Sequence, residues 1–128
     1  MIFNMANITK ERTGNLMPVE LSYEKCRLRA ALSGEIDHHH AAFVRERIDQ
    51  AIAKYQPPTL VLDFDAVTFM DSSAVGLVMG RFKLISAGGG GLEVQGLSPV
   101  AYRMMRLSGL QTLAKLTPKQ TEKAGKLP

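Results

Sequence analysis

The sequence predicts an α/β domain with a mixed, mainly parallel β-sheet and helices packed against it. Three observations carry that expectation. Two segments of period-two alternation, Val19 to Tyr23 and Cys26 to Leu32, read as a hairpin. An unalternating apolar run, Thr59 to Phe64, reads as a central strand covered on both faces. Between and beyond these runs, apolar residues recur at helical spacing, so strands and helices alternate.

Taken in order, Val19 to Tyr23 forms the first strand and Glu24-Lys25 turns the chain. Cys26, Leu28, Ala30 and Leu32 then share one strand face, with Arg27 and Arg29 on the other. That places Cys26 toward the core as an inert thiol. Ser33 to Asp37 breaks the strand, and Asp37 is suited to cap the next helix. Ala41, Val44, Ile48, Ala51 and Ile52 form that helix's buried stripe, and Pro57-Pro58 stops it. After the central strand, Phe69 to Ser73 leads into a second helix. Its stripe is Ala74, Val75, Val78, Phe82 and Ile85, and Gly88 to Gly91 ends it. Leu92 to Gln95 is another strand. Ser98-Pro99 starts a third helix with a cap and a first-turn proline, and Gly109 closes it. Leu113 to Leu116 is a last short strand.

The length of 128 residues suits one domain. Residues 1–18 read as a flexible leader, 19–117 as the folded domain and 118–128 as a polar tail. A composition 45% hydrophobic and 22% charged supports a core and argues against disorder. No apolar run approaches the length of a membrane span, and the N-terminus lacks the apolar centre of a secretory signal. The single cysteine excludes an internal disulfide and fits a reducing cytoplasm. The net charge of +4 admits a nucleic acid. Yet the cations are scattered, Trp is absent and no aromatic RNA-binding motif is present, so no direct nucleic-acid partner is expected.

The most informative stretch runs from Val67 to Gly76, Val-Thr-Phe-Met-Asp-Ser-Ser-Ala-Val-Gly. It sets two hydroxyls, Ser72 and Ser73, where a loop enters a helix. Either serine could cap that helix through its oxygen. The same position suits a phosphoserine, because free N–H groups and the positive helix end stabilise a dianion. Asp71 beside it adds a like charge that opposes this. Residue chemistry alone leaves both roles open.

Here the chain resembles a family. Val67 to Gly76, with Leu60-Val61-Leu62 before it, is similar to the phosphoacceptor region of STAS-domain anti-sigma factor antagonists of the SpoIIAA-like type. Gly34-Glu35-Ile36-Asp37-His38-His39 matches the turn before that family's first helix. Gly80-Arg81-Phe82-Lys83, Leu97-Ser98-Pro99-Val100 and Leu107-Ser108-Gly109-Leu110 follow in the right order and spacing. The likeness covers about Val19 to Leu116. It implies the STAS fold and a cycle. The unmodified antagonist binds an anti-sigma factor that is also a serine kinase, and so frees the sigma factor. The kinase uses ATP to phosphorylate the antagonist, which ends the complex, and a serine phosphatase restores it. The resemblance places the acceptor at Ser72 and partner contacts at Asp37, Asp71, Ser73 and Ala74. Ala74 stands where the family usually has Gly. The antagonist itself needs no cofactor; ATP belongs to the kinase.

Other constellations carry less. His38-His39-His40 suggests a metal, but adjacent helical residues point apart and no cysteine joins them. Gly88 to Gly91 is followed by Leu92-Glu93, not the Lys and hydroxyl of a phosphate loop. Arg81, Lys83, Arg103 and Arg106 could form a patch for an acidic partner or a solvated helix face. Two other classes fit poorly. A nucleophile elbow needs Gly two residues either side of the serine, where Met70 and Ala74 stand, and every histidine precedes Ser72. A phosphoryl receiver would use Asp63, Asp65 and Asp71, but acidic residues are also needed after the first strand, which ends in Tyr23-Glu24-Lys25. A STAS subunit of a stress-signalling or lipid-transport complex shares the fold and would differ in its partner.

Overall fold

The computed structural model describes residues 18–120. The leader expected at 1–18 and the tail at 118–128 therefore lie almost wholly outside the described residues. Five strands form one sheet in sequential order, β1 (Val19–Glu24), β2 (Arg27–Ile36), β3 (Thr59–Met70), β4 (Gly91–Leu97) and β5 (Lys115–Pro118). The β1–β2 pair is antiparallel and the other three pairs are parallel. The crossovers carry helices α1 (His38–Tyr55), α2 (Ser72–Ala87) and α3 (Pro99–Leu107), the last followed by a 3-10 turn at Leu110–Thr112. None of the described helices is long and apolar enough to cross a membrane.

The core lies between one sheet face and the helices. Leu28, Ala30 and Leu32 of β2, Leu60, Leu62 and Phe64 of β3, and Leu92 and Val94 of β4 enter it. They meet Val44, Ile48 and Ala51 of α1, Ala74, Leu77, Val78 and Ile85 of α2, and Ala101 and Met105 of α3. The alternate residues form a polar face. There the Arg27 guanidinium reaches Glu93 at 2.8 Å across β3, and Arg29 reaches Asp63 at 2.7 Å. Val61 is fully buried on this face, in register between Arg29 and Glu93. The apolar run in β3 is thus covered by helices on one side and by cross-strand ion pairs on the other, not by two helical layers.

Four local expectations are corrected. Cys26 is exposed, because the β1–β2 register pairs Glu24 with Arg27 and leaves Lys25 and Cys26 as a two-residue turn. Both have positive φ, 52° and 64°, the geometry that matches the twist of a hairpin. Gly34 does not break β2. The strand passes through two register shifts, with Gly34 at φ 73°, and continues to Ile36 as a bulged strand. Likewise β3 runs on to Met70, because its second half pairs with this bulged end of β2. In α2, Leu77 and Arg81 join the buried stripe, whereas Val75 and Phe82 are only half-buried. The Leu77, Arg81, Ile85 spacing signals this, but the charge of Arg81 masks it.

Candidate functional site

The site is built where two parallel strands end together. Ile36 of β2 pairs with Met70 of β3, and the next residue of each chain segment caps a helix. The Asp71 N–H donates to the Ile36 carbonyl at 3.4 Å, which ties the two ends to one another. Asp37 and Asp71 therefore stand side by side, about one interstrand spacing of 5 Å apart along the sheet. The N-termini of α1 and α2 open at the same edge of the domain. Each contributes the positive end of a helix dipole.

Asp37 is extended, with φ −103°, and its Oδ1 accepts from the backbone N–H groups of His39 (3.0 Å) and His40 (2.9 Å). The His40 ring nitrogen Nδ1 lies 2.9 Å from the same oxygen. The His40 N–H above all holds the Asp37 carboxyl below its ordinary pKa, against the upward push of desolvation. Asp71 repeats the device at α2, its Oδ1 accepting from the Ser73 N–H at 2.8 Å. The helix cap is thus Asp71 and not a serine. Ser72 becomes the first helical residue, exposed, with its hydroxyl bonded to no protein group among the described residues. Ser73 is half-buried beside it.

Asp37, Asp71, Ser72 and Ser73 are brought together. Ala74 is not part of this surface. Its side chain is fully buried in the core, so the methyl that replaces the family's usual Gly points inward and cannot touch a partner directly. Arg81 also leaves the surface. It is 7% exposed and pairs through Nε with Asp49 Oδ1 of α1 at 2.9 Å. Lys83, Arg103 and Arg106 remain exposed, so of the four cations read as a patch or a solvated helix face only these three lie on the surface. Of the other acids, Asp63 is held by Arg29 and accepts from the Asp65 N–H at 2.9 Å, facing away from the helix caps. Among the described residues no group of three or more His, Cys, Asp or Glu side chains is placed to hold a metal.

Sequence reasoning missed an apolar feature of this edge. Phe69 and Val100 are 54% and 69% exposed and border a pocket of about 330 Å³, with Met70, Ser98 and Lys119 also in its walls. It arises because β3 runs on past Phe64, so that Phe69 pairs with Glu35 of β2 beyond the last β3–β4 pair at Asp63 and Gln95.

Comparison with known proteins agrees with this geometry. The STAS domain model matches residues 27–123. An anti-sigma F factor antagonist of Paenibacillus polymyxa is 38% identical over 94 residues, 73% of this chain and 80% of its own. The structure of the anti-sigma factor antagonist SpoIIAA in its unphosphorylated form is similar with a TM-score of 0.68 and 30% identity, covering 84% of this chain and 91% of that one. The phosphorylated form of the Bacillus cell fate determinant SpoIIAA gives 0.64 and 30%, covering 84% and 95%. With the fold, the paired helix caps and these likenesses together, the chain belongs to the STAS-domain family of anti-sigma factor antagonists.

Proposed function

We propose that this protein binds an anti-sigma factor that is also a serine kinase, releases the sigma factor, and is switched off by phosphorylation of Ser72. The observation that carries this reading is the state of Ser72: first residue of α2, exposed, its hydroxyl unengaged among the described residues because Asp71 does the capping. A residue relieved of structural duty can be modified without unravelling the helix. Its neighbours Asp37 and Asp71 supply fixed carboxylates, and the exposed Phe69 and Val100 supply apolar area for a docked protein.

The switch works through charge. A phosphoserine carries about −1.5 to −2 charges at neutral pH. The helix end offsets part of this, typically by 0.3–1 kcal/mol, so the fold survives. A partner surface fitted to a neutral hydroxyl beside two carboxylates does not accept a further dianion. ATP is consumed by the partner kinase, a serine phosphatase resets the cycle, and the site of action is the cytoplasm.

Incubation with the anti-sigma kinase and ATP, followed by mass spectrometry, tests the assignment. Label should appear on Ser72, persist in Ser73→Ala and vanish in Ser72→Ala. Label confined to Ser73 would reject it.

A further inference from the structure

Helices α1 and α2 leave a groove between them, lined by His38, Arg45, Ser73, Gly76, Gly80 and Arg81, with Ala41, Ala42 and Leu77 completing the walls. It opens from the same edge as Ser72. Its chemistry is unusual in three respects.

First, Arg81 has unmet hydrogen-bonding capacity. The residue is only 7% exposed, yet Nη1 has no acceptor among the described residues. Nε lies 2.9 Å from Asp49 Oδ1, but the approach is off the hydrogen-bond line, so this is an ion pair only. A buried guanidinium normally fills its donors, because each unsatisfied one is costly. Second, the charge is unbalanced. No carboxylate lines the groove among the described residues, while Arg45 lies near enough to Arg81 to repel it. Burial first, and Arg45 with it, lowers the Arg81 pKa against the opposing pull of Asp49. Third, the floor is cut away at no gain to the fold. Gly76 and Gly80 sit inside α2, where glycine weakens a helix. A Cβ at either would meet nothing within 4 Å, so packing does not require glycine there. Together they keep the groove open beneath the two guanidinia.

We propose that the α1–α2 groove is a carboxylate slot that receives a glutamate or aspartate side chain of the docked protein partner. The proposal rests on reading this edge of the domain as a protein-docking surface. A carboxylate there pairs with the edge of the Arg81 guanidinium that borders the groove, separates the Arg45 and Arg81 charges, and gains the charge-assisted hydrogen bonds for which guanidinium is suited. The slot lies beside Ser72, so the partner is anchored by attraction at the groove while Ser72 stays free for phosphate.

Titration of the isotope-labelled protein with a capped tetraglutamate peptide, followed by NMR, tests this without any kinase. The peptide should saturably shift the Arg81 Nε signal and the Gly76 and Gly80 amides. A capped tetraglutamine peptide should not. Gly76→Leu, which fills the groove while removing a helical glycine, should abolish the shifts. Arg45→Glu should weaken binding about tenfold. Absence of shifts, equal shifts with tetraglutamine, or shifts that persist in both variants would overturn the slot. So would a response at these residues to inorganic phosphate and none to tetraglutamate. A blank titration beside normal Ser72 phosphorylation rejects the slot alone; the converse rejects the kinase reading alone.

Discussion

Asp71 and Ser72 divide two tasks that one residue could have held. Asp71 satisfies the helix N-terminus, and Ser72 is left exposed. Asp71→Ala should therefore cost about 1 kcal/mol, and Ser72→Ala close to nothing. At this domain size that is a fall of roughly 4–8 °C in Tm for the first variant, read by thermal melting. Equal losses would mean that Ser72 also caps. Asp37 makes a pH prediction. Its folded pKa is depressed, so its contribution is complete above the ordinary carboxylate value of about 4 and is lost as pH falls through the lower folded value. Asp37→Asn should be less stable than the parent above about pH 4, and the gap should close on acidification below it. A gap independent of pH would contradict that assignment. The Asp-Ser-Ser order was legible in the sequence. Which of the three caps was not, because all three side chains can accept from a helix N–H and only the backbone path selects one.

At the scale of elements, β3 and β4 show where periodicity stops being sufficient. The apolar run located β3 but not its continuation to Met70, which depends on pairing with the bulged end of β2. Bulges leave little signal beyond a glycine, and Gly34 reads equally as a break. Cys26 went astray for the same reason: strict alternation assigns it to the core, whereas hairpin register assigns it to the turn. Gly96 gives a sharper test of register. It has φ 71°, and a Cβ there would lie 2.7 Å from the Asp65 N and 2.9 Å from its Cα. Backbone cannot yield as a side-chain tip can. Gly96→Ala should destabilise by about 1–3 kcal/mol, whereas Gly76→Ala, with open space and helical geometry, should stabilise by about 0.5–1 kcal/mol. Denaturant midpoints of the two variants should move in opposite directions. Movement in the same direction would show that one of these backbone environments is misassigned.

For the whole molecule, the order of strands decides where function can lie. Three parallel crossovers in one direction put all three helices on one face and carry the strand ends of β2 and β3 to a common edge. The alternation of elements made that architecture legible, and the resemblance is what points to Ser72 as the proposed acceptor. The apolar pocket beside Phe69 and the Arg81–Asp49 pair were not legible, since both depend on how separate elements approach. The central claim is that charge at Ser72 ends a complex without unfolding the antagonist. Its most direct test is calorimetric titration of the anti-sigma kinase with unmodified and Ser72-phosphorylated protein, beside a melting curve of each. Phosphorylation should weaken binding about a hundredfold or more while leaving a cooperative transition. Undiminished binding of the phosphorylated form, or loss of its cooperative unfolding, would contradict the account.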